Sequence, residues 1–162
     1  MLRSCRSRSP STEAAWLCCA AALLALPVAA QTVTNTTPLS FGSFTAGTGG
    51  GTVQLTTGGG RVASGTVLLF NQGSSASAAQ FMLSGSAGES ITISLPADGT
   101  VLLSNGANTM AVNGFTSAPS GGGVTLSGMG TLTLQVGATL TVGASQSPGN
   151  YSGSFNVTIN FN

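Results

Sequence analysis

The sequence YSGSFNVTINF, residues 151–161, alternates between apolar or small residues and polar ones. Successive side chains of a β-strand point to opposite faces, so a two-residue period predicts a strand. One face of this segment would be buried and the other would meet water, as in antiparallel sheets that pack face to face. The residues expected on the buried face are Tyr151, Gly153, Phe155, Val157, Ile159 and Phe161.

A second long segment, TLTLQVGATLTV at residues 131–142, has the same period. Its apolar parity runs from Leu132 to Val142, and threonines and Gln135 occupy most of the other parity. Shorter alternations occur around Val53, Phe81, Ile91, Met110 and Val124. No comparable stretch after residue 30 has a 3.6-residue apolar period, so we expect strands and little helix.

Glycine-rich and Asn-Gly segments separate these apolar stretches, for example 47–51, 58–60, 105–106 and 121–123. Turn signals spaced about eight to twelve residues apart are typical of a β-sandwich or barrel. We therefore predict an all-β, antiparallel β-sandwich of immunoglobulin or pilin type with about eight to ten short strands. The competing architecture is a β-solenoid, which requires a fixed repeat length that the sequence does not show.

The first thirty residues are predicted to be a cleaved signal peptide. Arg3, Arg6 and Arg8 precede an apolar run at 14–26, and Val28 and Ala30 are small residues suited to cleavage after Ala30. The run is shorter than the roughly 20 residues that span a membrane, which favours cleavage over an anchor. We expect one domain at 31–162, exported to the periplasm, cell surface or medium, with no membrane insertion after cleavage.

Cleavage would remove every cysteine, since these are Cys5, Cys18 and Cys19. The domain would then form no disulfide, and its stability would come from packing and backbone pairing.

Charge is scarce: 4% of residues are charged, against about 25% in an ordinary domain. After residue 30 the charged residues are Arg61, Glu89 and Asp98. Nucleic-acid binding needs a cluster of cations, so we expect none. Soluble β-proteins protect open sheet edges with charges or proline, which prevent pairing with further strands. The predicted strands carry almost no charge, so either their edges are covered within the fold or pairing between chains is tolerated or required.

The same inventory argues against catalysis. The chain has no histidine or lysine, and its cysteines precede residue 30, so a serine or cysteine nucleophile has no partner base. Zinc lacks its usual ligands, and two carboxylates are too few for a strong calcium site. Glu89 and Asp98 could in principle form a glycosidase pair, but Asp98 lies in an Ala-Asp-Gly turn, where aspartate commonly binds backbone amides. We expect no enzyme activity, no metal and no cofactor.

The C-terminal segment resembles that of fimbrial subunits assembled by the chaperone–usher route. The shared pattern is a glycine fourteenth from the end (Gly149), alternating Phe155, Val157 and Ile159, and the penultimate aromatic Phe161. The resemblance implies an interaction edge at Gly149, Tyr151, Phe155, Val157, Ile159 and Phe161. In that family the end strand borders a groove that the next subunit fills by strand addition.

The chain also resembles the exported bacterial domains of the DUF4402 family. The similar segments are Leu39–Phe44 near the start, Val136–Leu140, and Pro148–Gly153 near the end. This second resemblance supports the fold more than the function. The predicted signal peptide, the alternation, the uncharged edges and the fimbrial resemblance together favour a structural, pilin-like subunit that associates with itself or with a periplasmic chaperone. The alternative is a self-contained secreted domain that binds a glycan or another surface ligand.

Overall fold

The structure is a computed structural model that describes residues 30–70 and 75–162. The predicted leader therefore lies outside the described residues, as do Cys5, Cys18 and Cys19. The described residues contain twelve strands and no helix, and every strand pairing is antiparallel. The strands are β1 (Thr32–Thr37), β2 (Phe44–Thr45), β3 (Gly51–Leu55), β4 (Arg61–Gly65), β5 (Leu68–Leu69), β6 (Ala79–Ser84), β7 (Ser90–Ser94), β8 (Val101–Asn105), β9 (Asn108–Ala118), β10 (Gly122–Thr125), β11 (Thr131–Val142) and β12 (Thr158–Phe161).

The predicted all-β antiparallel sandwich is confirmed. Strand β11 is the centre of a curled seven-stranded sheet. One edge of β11 pairs first with β6, at 131–136, and then with β3, at 138–142. Its other edge pairs with β9, which in turn pairs with β8, while β1 and β4 form outer edges.

The second layer consists of two separate pieces. The strands β10, β7 and β12 form one sheet, in that order, and β2 pairs with β5 to form the other. The three-stranded piece packs on a core that contains Leu83, Ile91 and Leu134. The two-stranded piece packs, through Phe44 and Leu69, on a core that contains Val53 and Leu140. The layer that covers the large sheet is therefore discontinuous.

The alternation predicted for residues 131–142 is confirmed in β11. Leu134, Val136, Ala138, Leu140 and Val142 are all buried, with Leu132 half-buried, whereas Thr131, Thr133 and Thr141 are exposed. The core thus forms on the parity that the sequence indicates, because one face of an antiparallel sheet is covered and the other meets water.

The C-terminal strand is shorter than predicted. Only Thr158–Phe161 pairs with β7, and Ser152 forms an isolated bridge with Ser104 of β8. Continuing the β7 register would place Asn156 opposite Pro96, which has no N–H to donate to a ladder. The segment instead passes from the large sheet to the second layer, although its polar residues remain exposed as expected.

Gly137 lies where β11 changes partner from β6 to β3. A β-carbon there would overlap the Leu55 carbonyl oxygen and lie 2.8 Å from the Thr56 carbonyl carbon. Both neighbours are backbone atoms in a paired strand or the turn that follows it, so they have little room to move.

We expect Gly137→Ala to lower the free energy of unfolding by about 1–3 kcal/mol, the usual cost of overpacking a core. Urea denaturation would measure it, with Gly128→Ala as the matched control because no atom lies within 4 Å of a β-carbon there. Equal stability of the two variants would contradict close packing at Gly137.

Candidate functional site: a groove between the two pieces of the second layer

A groove of about 820 Å³ lies over the inner face of the large sheet. Its bottom is formed by the buried side chains of Val101, Met110, Val112 and Leu140. One wall is the segment 38–46, which includes β2, and the other is the segment 146–155, which leads to β12. Half-buried apolar side chains line the sides: Leu39, Phe44, Phe81, Leu103, Tyr151 and Phe155. None of the lining residues is charged.

The segment 146–155 forms the C-terminal wall of the groove. The end of this wall and the two residues that follow it have main-chain groups that make no hydrogen bond to another described residue. Within the described residues, no hydrogen bond involves the backbone of residues 153–157. Beyond them, β12 pairs with β7 on one edge alone. Asn162 donates its N–H to the Ser90 carbonyl, so the odd-numbered residues Ile159 and Phe161 direct their N–H and C=O groups to the free edge. Residues 153–157 and the outer edge of β12 are thus consecutive in the chain, and both carry backbone groups without a partner in the described part of the protein.

The segment 38–46, which forms the N-terminal wall of the groove, is fixed by backbone pairing with residues 68–70 and with Ser77. Phe70 donates its N–H to the Ser43 carbonyl, and Phe44 lies opposite Leu69. The N–H and C=O of Phe44 therefore point to the edge that β5 does not occupy. Farther along this wall, Ser40 exchanges two backbone hydrogen bonds with Ser77.

Arg61 fixes the position of this wall. Its guanidinium donates to the carbonyls of Phe41 at 2.9 Å, Ser43 at 3.2 Å and Phe70 at 2.8 Å. A β-carbon at Gly42 would lie 2.6 Å from Nη1 of Arg61, and Gly42 has a φ of 68°, which favours glycine. The sequence analysis found neither this role of Arg61 nor the bottom of the groove.

The C-terminal wall is fixed by a side-chain network. Gln146 Nε2 donates to the Tyr151 hydroxyl at 2.8 Å, and that hydroxyl donates to the Ser147 carbonyl, also at 2.8 Å. The Gly143 amide donates to Gln146 Oε1 at 3.2 Å. A β-carbon at Gly149 would displace the side-chain amide of Asn105, which donates to the Pro148 carbonyl at 3.4 Å.

The structure divides the six predicted edge residues into two groups. Gly149, Tyr151 and Phe155 line the groove. Val157, Ile159 and Phe161 instead pack half-buried on the core between the three-stranded piece and the large sheet. Phe155 lies between the two groups. Its ring packs edge-on against Phe81, with centroids 6.4 Å apart, and at a tilt against Phe115, with centroids 5.2 Å apart.

The two described side-chain carboxylates both accept backbone amides. Glu89 accepts the Ser86 amide at 2.8 Å and the Gln31 side-chain amide at 2.5 Å. Asp98 accepts the Gly114 amide at 2.7 Å, while the Gly99 amide donates to the Asn113 side chain at 2.8 Å. Asp98 therefore accepts a backbone amide, as aspartate in a turn commonly does, but the amide belongs to β9 and not to the turn of Asp98. In the described part of the chain, no group of three or more histidine, cysteine, aspartate or glutamate side chains could hold a metal ion.

Between residues 30 and 162, leaving out 71–74, the structure has no helix with the length and hydropathy to cross a membrane.

The sequence profile of a family described as a domain of unknown function, DUF4402, matches residues 32–161. The chain belongs to the DUF4402 family. The match covers nearly all of the predicted domain at 31–162 and confirms the resemblance noted from its motifs. No curated protein and no solved structure matches the chain.

Proposed function

We propose that this DUF4402 protein is an exported, non-catalytic structural subunit that assembles by β-strand pairing, as fimbrial subunits do. The observation that carries the proposal is the discontinuous second layer. The two pieces do not pair with each other, and the groove between the segments 38–46 and 146–155 exposes apolar side chains and backbone groups that have no partner among the described residues. An extended strand in the groove would make the second layer continuous.

Main-chain hydrogen bonding favours an extended strand as the occupant. The backbone at 153–157 and at Phe44 offers donors and acceptors along both walls. In strand addition, such groups supply affinity, while pockets for alternate side chains set the register. Leu103 and Met110 would receive the inward side chains of the incoming strand.

A second copy of the chain can supply that strand through β1. Five of the six residues of β1 are exposed and Thr37 is half-buried, so no side chain of β1 is fixed in the core. Val33 is its one large apolar residue, and threonine is a favourable residue for a half-buried strand. Most of the affinity would therefore come from backbone hydrogen bonds.

The low charge supports pairing between copies. Neither β1 nor the segment 151–162 contains a charged side chain. Soluble β-proteins commonly place lysine or other charges on open edges to prevent such pairing. A periplasmic chaperone that occupied the groove before assembly would fit the same edge.

A non-catalytic role agrees with the positions of the two described carboxylates. Glu89 accepts the Ser86 amide within its own turn, and Asp98 accepts the amide of Gly114 in β9. Neither lines the groove. Since both carboxylates accept backbone amides away from the groove, neither is placed to transfer a proton to a ligand there.

The volume of the groove favours a second candidate, a self-contained domain that binds a surface ligand such as a glycan. Clefts of about 300–1,000 Å³ commonly bind small molecules. This candidate predicts a monomer that is retained on a glycan column and loses retention when groove residues such as Tyr151 are replaced. No retention across a broad glycan panel would exclude it.

Assembly of the purified, leader-free protein tests the main proposal by light scattering and electron microscopy. We expect oligomers or fibres, and we expect a chain lacking 31–37 to remain monomeric yet bind a peptide of residues 31–44. The deletion ends at Thr37 because residues 38–46 form a wall of the groove. A strictly monomeric protein that is indifferent to the peptide would overturn the proposal.

A further inference from the structure

Strand β1 does not occupy the groove of its own chain. It pairs with β6 on the outer edge of the large sheet, where Thr34 lies opposite Met82 and Val33 opposite Leu83. Asn35 reaches the rim of the groove. The strand that we propose as the donor is therefore already paired at another edge in the free subunit.

The attachment of β1 to β6 consists mainly of backbone bonds. Its ladder is irregular between Asn35 and Thr37. Two side-chain hydrogen bonds add to it, from Thr36 Oγ1 to the Gln80 carbonyl at 3.2 Å and from Gln31 to Glu89 at 2.5 Å. Val33 is 45% exposed, so even the apolar residue of β1 is incompletely covered.

Strand β6 does not depend on β1 for its place in the fold. Six residues of β6 pair with β11 on the opposite edge. Ala79 and Leu83 are fully buried in the core with Ile91 and Leu134. Release of β1 would thus uncover one sheet edge and leave the buried clusters in place, which is the pattern of a local opening.

We propose that the pairing of β1 with β6 is an autoinhibitory latch on assembly. The inference rests on the proposed function, since it concerns the strand donated to a second copy. While β1 is paired with β6 it cannot enter the groove of another subunit. The apparent affinity of donation is therefore the intrinsic affinity multiplied by the fraction of molecules in which β1 is released.

A disulfide across β1 and β6 tests the latch. Thr34 and Met82 are exposed partners in the ladder, and paired positions in a sheet meet the distance requirement of a disulfide. In Thr34→Cys/Met82→Cys, removal of the leader leaves the two introduced cysteines as the only thiols. Mass spectrometry would confirm the removal before assembly is measured with and without reductant.

We expect the oxidised variant to assemble at least tenfold more slowly than the reduced form of the same variant. The matched control is Gln54→Cys/Val62→Cys, an exposed pair across β3 and β4 whose oxidation should leave assembly unchanged. Equal assembly of oxidised and reduced Thr34→Cys/Met82→Cys would overturn the latch alone. Failure of the wild-type protein to assemble would overturn the proposed function and the latch with it.

Hydrogen exchange provides a readout that does not require assembly. We expect the amides of β1 that pair with β6 to exchange at least a hundredfold faster than those of β11, through an opening that leaves β11 protected. Exchange of β1 as slow as that of β11 would mean that β1 leaves only on global unfolding, which would also overturn the latch.

Discussion

Replacing Phe155 with alanine is expected to lower the free energy of unfolding by about 3 kcal/mol, the lower end of the range for removing a large aromatic side chain from a core. The lower end applies because Phe155 is half-buried. Its ring contacts Phe81 and Phe115 and packs against both hydrophobic clusters. The variant would therefore loosen the connection between the two parts of the core, in addition to leaving a cavity.

Urea denaturation of the monomeric protein would measure this loss. The matched control is Phe70→Ala, because the Phe70 side chain is 50% exposed and should contribute below about 1 kcal/mol. Phe155→Leu should recover part of the loss, since it restores apolar volume but not the ring contacts. Equal destabilisation by Phe155→Ala and Phe70→Ala would contradict the packing role of Phe155.

The paired substitution Ser154→Lys/Asn156→Lys is expected to slow assembly at least a hundredfold while changing monomer stability little. Both side chains are exposed, and the backbone around them has no hydrogen-bond partner within the described residues. An incoming strand would have to pair beside two ammonium groups, the device by which natural edge strands avoid unwanted pairing. Light scattering against time would measure the rate.

The charge-matched control is Ser120→Lys/Met129→Lys. These residues are also exposed, and Met129 is 90% exposed in the turn before β11. If added positive charge acted only through general repulsion, both pairs would slow assembly equally. That result would contradict strand pairing at residues 153–157, whereas a selective effect of the first pair supports it.

The sequence predicts the fold class well because the two-residue period is a local signal. In β11, the alternation from Leu132 to Val142 is enough to identify the buried face. The turn signal Asn105-Gly106 likewise marks the connection between β8 and β9, where Gly106 has a φ of 68°. Phe70 is an exception, since its position in an apolar segment suggests burial but half of its surface is exposed.

The C-terminal segment shows the limit of such local signals. Its alternation correctly indicates which side chains face inward, yet the ladder is limited to Thr158–Phe161. That limit depends on Pro96, which lies more than sixty residues away and comes opposite Asn156 only in the register found. Periodicity reports which face is buried and carries no information about the partner strand.

The groove could be predicted only in part. Gly149, Tyr151 and Phe155 were expected on an interaction edge through the resemblance to fimbrial subunits, and they line the groove. The opposite wall depends on Arg61, which donates to carbonyls of Phe41 and Ser43 on one segment and of Phe70 on another. Such long-range contacts leave no periodic trace, although the motif Leu39–Phe44 marked the segment as characteristic of the family.

Hydrogen exchange of the backbone amides of residues 153–157, with and without a peptide of residues 31–44, tests the central claim most directly. These amides have no hydrogen-bond partner among residues 30–70 and 75–162. If the groove accepts an extended strand, they become protected when excess peptide is added, and Ser154→Lys/Asn156→Lys reduces that protection. Unchanged exchange at 153–157 under saturating peptide would contradict strand addition at this site.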